Sequence, residues 1–515
     1  MRGFRAGVLL RGTAVTMIAA FGLGGASVAL GSAPVAPAAA AVQPIPFALG
    51  HVLAAGKMAK PPTTAECETD FGIACYQPFQ LQKAYDLAPL FSHEIKGQGE
   101  TIAIFDAFGS PSIASDLQTF DAQNKLPNPP SFRVITPEGP ITTTPTNCTS
   151  TFSRTGPDLC SDYFGWTDET SLDVEWSHVM APDANILLVE TPMTETEGIF
   201  GIPQIVKAEN YVINHHLANV ITQSFGATEE TFTSPAQILT QRSAFENAAL
   251  HGVTVLAASG DQGSTDYYCD PSNGCANPDH ATCCESSRSI DWPSSDPLVT
   301  AVGGTQLQLN AKGVRTAPDS VWNDSSATVG VTGPVYTWGA GGGGLSSVFP
   351  RPWFQNGVAS TVGNSRGTPD IAMSAAVNGA VDFYDTTDPS VGGWGIVGGT
   401  SEASPLFSGI VALADQVAGH SLGYLNPALY SLAQSKGPNG IVPISTGSNT
   451  FTYCISADLE ANDSCPSTSD LVTVPGFSAN GSYNDATGWG TVDAAKFVPA
   501  LAFFASFPGP KSHQS

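Results

Sequence analysis

Five short apolar runs, separated by helical patterns, constrain the fold of this chain more than any other feature. They cover residues 100–106, 185–190, 219–224, 253–259 and 298–302. Short apolar runs bounded by Gly or polar turns read as strands buried on both faces. Helical patterns occupy residues 113–122, 172–180, 201–216 and 235–251. This alternation predicts a doubly wound, mostly parallel α/β sheet whose functional groups gather at the carboxyl ends of the strands. Two of the runs deliver an Asp there. One ends in Asp106, and another leads into Ser259-Gly260-Asp261-Gln262-Gly263. A strand-end Asp between glycines is either a turn former or a group placed for chemistry. No internal repeat or second domain is visible.

The stretch Gly399-Thr400-Ser401-Glu402-Ala403-Ser404-Pro405, followed by an apolar run over 406–414, predicts a tight turn opening a buried helix. Pro is tolerated in a helix's first turn, and Gly permits close backbone approach. Ser401 is then either a helix cap or a nucleophile whose own N–H, at the positive end of the helix dipole, would stabilise an oxyanion.

A serine nucleophile needs a base, and His is the usual supplier. Asp106 could serve a Ser-His-Asp enzyme, but no His-Gly-Thr-His helix start exists here. His178, beside the Ala181-Pro182 turn, reads as a solvated or dipole-complementing histidine. Glu169 and Asp173 stand where that base would be. Four apart on a helix, they share a face and repel unless a proton is shared, which suits a general base. The competing reading is an acidic, solvated helix start.

Composition sets the boundaries. A net charge of −25 argues against nucleic acid and anionic membrane as partners, because phosphates would be repelled. With 13% charged residues, 53 Gly and 39 Pro, the chain suits a compact, loop-rich enzyme rather than a helical scaffold. Arg2, Arg5 and Arg11 precede an apolar stretch over 13–30, and Ala33 and residues 38–41 supply small residues of the A-x-A kind. Residues 1–41 are expected to be a secretory signal peptide, with an uncleaved anchor as the rival reading. Residues 42–75 read as a linker or short amino-terminal strap, and 76–506 as one catalytic domain. Ten cysteines fit disulfides in an exported chain: Cys67 with Cys75, Cys148 with Cys160, Cys454 with Cys465, and a cluster at 269, 275, 283 and 284. A zinc site in that cluster is the alternative.

Glu169-x-x-x-Asp173, Ser259-Gly260-Asp261-x-Gly263 and Gly399-Thr400-Ser401-x-x-x-Pro405 resemble, in order, the motifs of the sedolisins, serine-carboxyl peptidases of subtilisin-like fold. Ser224-Phe225-Gly226, the 342–355 stretch, Pro369-Asp370-Ile371 and Asn426-Pro427-Ala428-Leu429-Tyr430 fit the same family. The resemblance covers about residues 75–503. It implies Ser401 as nucleophile, Glu169 as general base, Asp173 behind it, and a protonated Asp261 completing the oxyanion hole. Ser224, Phe225 and Gly226 would bind substrate backbone as an added strand, with Gly343 and Gly344 opposite. A carboxylate base working beside a protonated carboxyl implies an acidic optimum.

Two departures accompany the resemblance. Sedolisins usually carry a large amino-terminal prodomain, whereas only residues 42–75 lie between the expected signal and the catalytic region, so folding and zymogen control are expected to differ. The family's calcium site also looks degraded. Its positions fall at Ile444, Asn480, Ser482 and Asn484, no longer supply carboxylates, and are expected to bind Ca²⁺ weakly or not at all. Asp485 could substitute if the loop shifts by one residue. The expected protein is a secreted monomer that cleaves polypeptides, as an endopeptidase or tripeptidyl-peptidase. The alternatives are a non-catalytic binding protein that keeps the fold and a Ser-His-Asp hydrolase.

Overall fold

The structure, a computed structural model, describes residues 52–142, 159–192, 201–232, 234–265, 287–325, 339–454 and 471–506. These belong to one compact unit. An eight-stranded sheet runs through its middle in the order Ser320–Val321, Thr300–Gln306, Thr254–Ala258, Val220–Gln223, Thr101–Ala107, Asn185–Thr191 and Phe132–Ile135, with Ile371–Ser374 branching beside Thr300–Gln306. All these pairings are parallel except that of Ser320–Val321. All five expected strands are present, and the sheet is doubly wound. From Thr101–Ala107 the chain winds to one side, then returns and winds to the other. The winding therefore reverses beside Asp106, and crevices form at the carboxyl ends of strands at such points.

A second, four-stranded sheet orders Val52–Met58, Gly393–Val397, Ala380–Asp385 and Cys75–Tyr76. Part of the expected strap is thus a strand, paired antiparallel along Gly393–Val397. A helix at Thr64–Asp70 follows, and a Cys67–Cys75 disulfide spanning 5.8 Å between Cα atoms secures it. The expected signal peptide and the four-cysteine cluster lie outside the described residues, as does at least one partner of each remaining cysteine pair. No helix among the described residues is long and apolar enough to cross a membrane.

Two central helices differ from expectation in instructive ways. The helix expected over 172–180 runs Leu159–Met180. Every residue from Trp166 to Met180 is buried, so no polar face exists to reveal a helical period in the sequence. The solvated helix start is accordingly corrected: Asp168, Glu169 and Asp173 are all buried. His178 is corrected too. It is fully buried, its Nε2 2.7 Å from the Pro127 carbonyl and 3.4 Å from Asp121.

The helix opening at Ser401 spans Thr400–Ala418, and everything from Thr400 to Asp415 is buried. Leu406, Phe407, Ile410, Val411 and Leu413 are fully covered, each worth roughly 1.5–3 kcal/mol of burial. This helix lies directly on Leu159–Met180, where a Cβ on Gly409 would meet Met180 Cβ at 2.4 Å. Ser177 and Ser408 hydroxyls bridge the two helices at 3.1 Å, and Thr222 reaches Ser404 at 2.8 Å. Pro405 sits inside the helix rather than in its first turn. Lacking an N–H, it leaves the Ser401 carbonyl without its usual helical donor. The Ser224 hydroxyl approaches that carbonyl instead, at 3.4 Å.

Candidate active site

Ser401 is the second residue of its helix, not a cap, and is fully buried. Asp261 reaches the helix start from the end of the Thr254–Ala258 strand. Its Oδ1 accepts hydrogen bonds from the Thr400 N–H at 2.7 Å and the Thr400 hydroxyl at 2.6 Å. The Gly260 N–H donates in turn to Thr400 Oγ1 at 3.1 Å. With Oδ1 doubly engaged, Oδ2 is the oxygen that lies toward Gly399. Backbone geometry leaves room for it: Gly399 has φ 127°, and a Cβ there would lie 2.5 Å from Asp261 Oδ2. Gly399→Ala would thus strain the backbone and push Asp261 aside. It is expected to lower stability by about 2 kcal/mol, read from a urea midpoint. A change under about 0.5 kcal/mol, the range of an ordinary surface substitution, would show that the turn relaxes freely.

On the other side, the Ser401 hydroxyl lies 3.4 Å from the Ser224 carbonyl, and the Ser224 hydroxyl donates to Asp173 Oδ1 at 2.8 Å. Ser224 therefore links the serine to the acidic pair. Asp173 is held well above the usual carboxylate range, first by burial, then by the charges of Glu169 and Asp106, and it shares a hydrogen bond with Glu169. Asp106 is pushed up to about 8, chiefly by burial and further by Glu190, against a hydrogen bond with Thr170 that lowers it. Three carboxyls thus gather at the crevice. In the sequence Asp106 stood out as a strand-end acid and as the acid of a Ser-His-Asp alternative, not as a neighbour of Asp173, because that approach depends on the tertiary fold. Glu402, beside Ser401, is also buried and held well above its usual range by burial, with the Asp261 charge adding to it against Ser374.

Phe225 is buried against Trp166, their ring centroids 6.1 Å apart. Gly226 leads into Ala227–Thr228, which pairs antiparallel with Asp291–Trp292. The glycine stretch lies against the Asp261 turn. The Gly342 N–H donates to the Gly260 carbonyl at 2.6 Å, and a Cβ on Gly342 would meet Ser259 O at 2.1 Å. Gly343 gives its carbonyl to Asn449 Nδ2 at 3.1 Å, and Gly344 begins the strand Gly344–Pro350. Ser401, Ser224, Asp173, Glu169 and Asp106 are therefore joined through these contacts, Asp261 closes on the helix start from the Thr400 side, and Gly342 abuts the Asp261 turn.

The calcium positions behave differently. The Ile444 carbonyl accepts from the Gly481 N–H at 2.9 Å. Asn480 Oδ1 accepts from the N–H and hydroxyl of Ser482. Asn484 Oδ1 takes the N–H groups of Ala486 and Thr487 and the Thr487 hydroxyl. Asp485 is buried, pushed up to about 7 by burial, and its Oδ1 lies 2.7 Å from where a Cβ on Gly367 would be. These oxygens accept hydrogen bonds from the loop's own N–H and O–H groups. Among the described residues no group of three or more His, Cys, Asp or Glu side chains is arranged to hold a metal ion.

A sheet wound in this order, with a serine at a buried helix start and carboxyls in place of a histidine, defines a subtilisin-like hydrolase scaffold. A family model described as the subtilase family matches residues 143–428. Kumamolisin from Bacillus sp. is 32% identical over 363 residues, covering 69% of this chain and 55% of that protein. Sedolisin from Pseudomonas sp. is 30% identical over 292 residues, covering 57% and 42%. Human tripeptidyl-peptidase 1 is 28% identical over 298 residues, covering 55% and 43%. The solved structure of Pseudomonas sedolisin, a serine-carboxyl proteinase complexed with two molecules of pseudo-iodotyrostatin, superposes with a TM-score of 0.61 at 25% identity, over 84% of this chain and 99% of that one. The chain belongs to the subtilase family and, within it, to the sedolisins. It spans about half the length of these full-length relatives.

Proposed function

We propose that this protein is a secreted serine-carboxyl peptidase that hydrolyses peptide bonds in acid. The observation that carries the reading is the hydrogen-bonded run from Ser401 through Ser224 to Asp173, closed on the other side by Asp261 at the helix start. Relatives named as a tripeptidyl-peptidase and as a serine-carboxyl proteinase support the same class.

In this reading Glu169 takes the proton of Ser401 as its Oγ attacks the scissile carbonyl carbon. Asp173 and Asp106 hold that proton network above the ordinary carboxylate range. The oxyanion receives hydrogen bonds from the Ser401 N–H and from a proton on Asp261 Oδ2. Glu169 returns the proton to the leaving amine, and water then releases the acyl group by the reverse steps. Ser224, Phe225 and Gly226 take the substrate backbone as an added strand, with Gly343 and Gly344 facing it. Because the oxyanion donor must be protonated, activity should fall toward neutrality.

The test is cleavage of denatured protein by wild type and Glu169→Ala from about pH 3 to 8, which spans carboxylate and imidazole titration. Wild type is expected to peak in acid, and Glu169→Ala to lose most of that peak. No acid-range cleavage by the wild type would favour a binding protein that keeps the fold. Activity retained in Glu169→Ala would redirect attention to a histidine base.

A further inference from the structure

We infer that Glu229 is a positioning residue that fixes the width of the substrate groove, by tying the wall that continues Ser224-Phe225-Gly226 to the wall that continues Gly343-Gly344. The inference rests on the peptidase reading for its substrate, but its geometry stands independently. Glu229 follows Gly226 by three positions and is buried. Its Oε1 accepts the Ser346 hydroxyl at 2.6 Å. Its Oε2 accepts the Ser347 N–H at 2.7 Å, the Ser347 hydroxyl at 3.0 Å and the Val348 N–H at 3.2 Å. One carboxyl therefore holds three consecutive residues that begin two positions after Gly344.

The sheet explains why it is needed there. Gly344–Pro350 pairs with Ser365–Thr368 at Gly344 and Leu345, and the register then shifts before Pro350. A break in the ladder frees backbone N–H groups that must find another partner. Those of Ser347 and Val348 find Glu229, and the Ser346 hydroxyl takes the N–H groups of Val348 and Phe349. Ile290 closes the connection from behind. Its carbonyl accepts the Glu229 N–H at 3.0 Å, and its side chain lies 3.1 Å from where a Cβ on Gly344 would be. Carboxylate bonds to N–H and O–H donors are short and directional, so the two walls are set at one separation. Glu229 touches none of Ser401, Asp173 or Asp261 through a hydrogen bond, so it acts on substrate binding rather than on the chemical step.

Glu229→Gln keeps the shape but turns an amide toward donors, and Glu229→Asp keeps the charge on a shorter arm. Binding is measured by titrating an extended hexapeptide, and separately a dipeptide, into Ser401→Ala protein with and without the Glu229 change. Turnover is measured in otherwise wild-type protein. The expected result is binding of the hexapeptide weakened about tenfold or more by Gln and less by Asp, as for a lost charged hydrogen bond, with dipeptide binding unchanged. In turnover the loss should appear in KM, with kcat within about twofold of wild type, the small change expected when uniform binding alone is lost. Equal loss for both peptides, a loss confined to kcat, or no change in hexapeptide binding would overturn the inference. If the wild type cleaves nothing yet hexapeptide binding still depends on Glu229, the groove assignment stands and the peptidase reading fails.

Discussion

Ser401→Ala is expected to lower peptide hydrolysis by about 10⁴- to 10⁶-fold while leaving the fold intact, as removal of an activated nucleophile does in serine peptidases. The fold should survive because Ser401 Oγ has one long contact, 3.4 Å to the Ser224 carbonyl, and an alanine fits the same helix position. Its stability change should stay within about 0.5 kcal/mol, as for a substitution that removes no packing. Asp173→Asn should cost less, on the order of 10²- to 10⁴-fold, the usual share of a general acid–base network, and should move the pH profile as well. His178→Gln is the control. That histidine lies between Asp121 and the Pro127 carbonyl, so its loss should lower the melting temperature and leave kcat unchanged. Full activity in Ser401→Ala, measured beside an unchanged melting temperature, would remove the serine from the mechanism.

Raising the pH from about 4 to 8 should destabilise the protein strongly. Buried carboxyls are the cause. Glu209 is pushed up to about 8 by burial, and neither of its oxygens has a hydrogen-bond partner. Glu190 and Asp485 are each pushed up to about 7 and Asp385 to about 6, in every case chiefly by burial. Asp168, Asp382, Glu402 and Asp415 are held well above their usual range for the same reason. The sign follows from proton binding. Below about pH 4 both folded and unfolded chains hold these protons. Above it the unfolded chain releases them first, so stability is full in acid and falls until each group's folded value is passed.

Glu209 alone, moving from 4.5 to about 8, corresponds to roughly 5 kcal/mol, a large share of an ordinary folding free energy. A fall in melting temperature of about 10 °C or more between pH 4 and 8 is expected, by calorimetry at fixed ionic strength. Glu209→Gln should flatten part of that slope by removing one titrating group. A melting temperature constant across the range would contradict the burial of these acids as charged-state penalties. If the expected fall is seen, stability and catalysis share one acid pH window for separate reasons.

Local and tertiary contributions separate clearly in the candidate site. Glu169 and Asp173 lie one helical turn apart, so their pairing is a local consequence of spacing. Asp261 stands at the end of an apolar run, so its place at the carboxyl edge of the sheet was legible from the parallel alternation, whereas Ser401 was legible locally as a helix start and joined to Asp261 only through the family resemblance. The length of the Leu159–Met180 helix was hidden because burial on every side erases the amphipathic signal. Pro405 misled for a related reason. A proline marks a helix start locally, but here it sits inside the helix, and the Ser401 carbonyl that loses its donor lies 3.4 Å from the Ser224 hydroxyl, just beyond the end of another strand. Glu229 carried no local signal, because its partners lie more than a hundred residues away.

What the sequence by itself determined is the set of chemical groups and their delivery to strand and helix ends, since periodicity, glycine placement and i,i+4 spacing act over a few residues. What only the tertiary structure decided is which groups meet: Asp106 with Asp173, Thr400 with Asp261, Glu229 with Ser346 to Val348. Those meetings depend on strand order and on a break in one ladder. Strand order is settled by how a doubly wound sheet buries both its faces, a property of the whole chain.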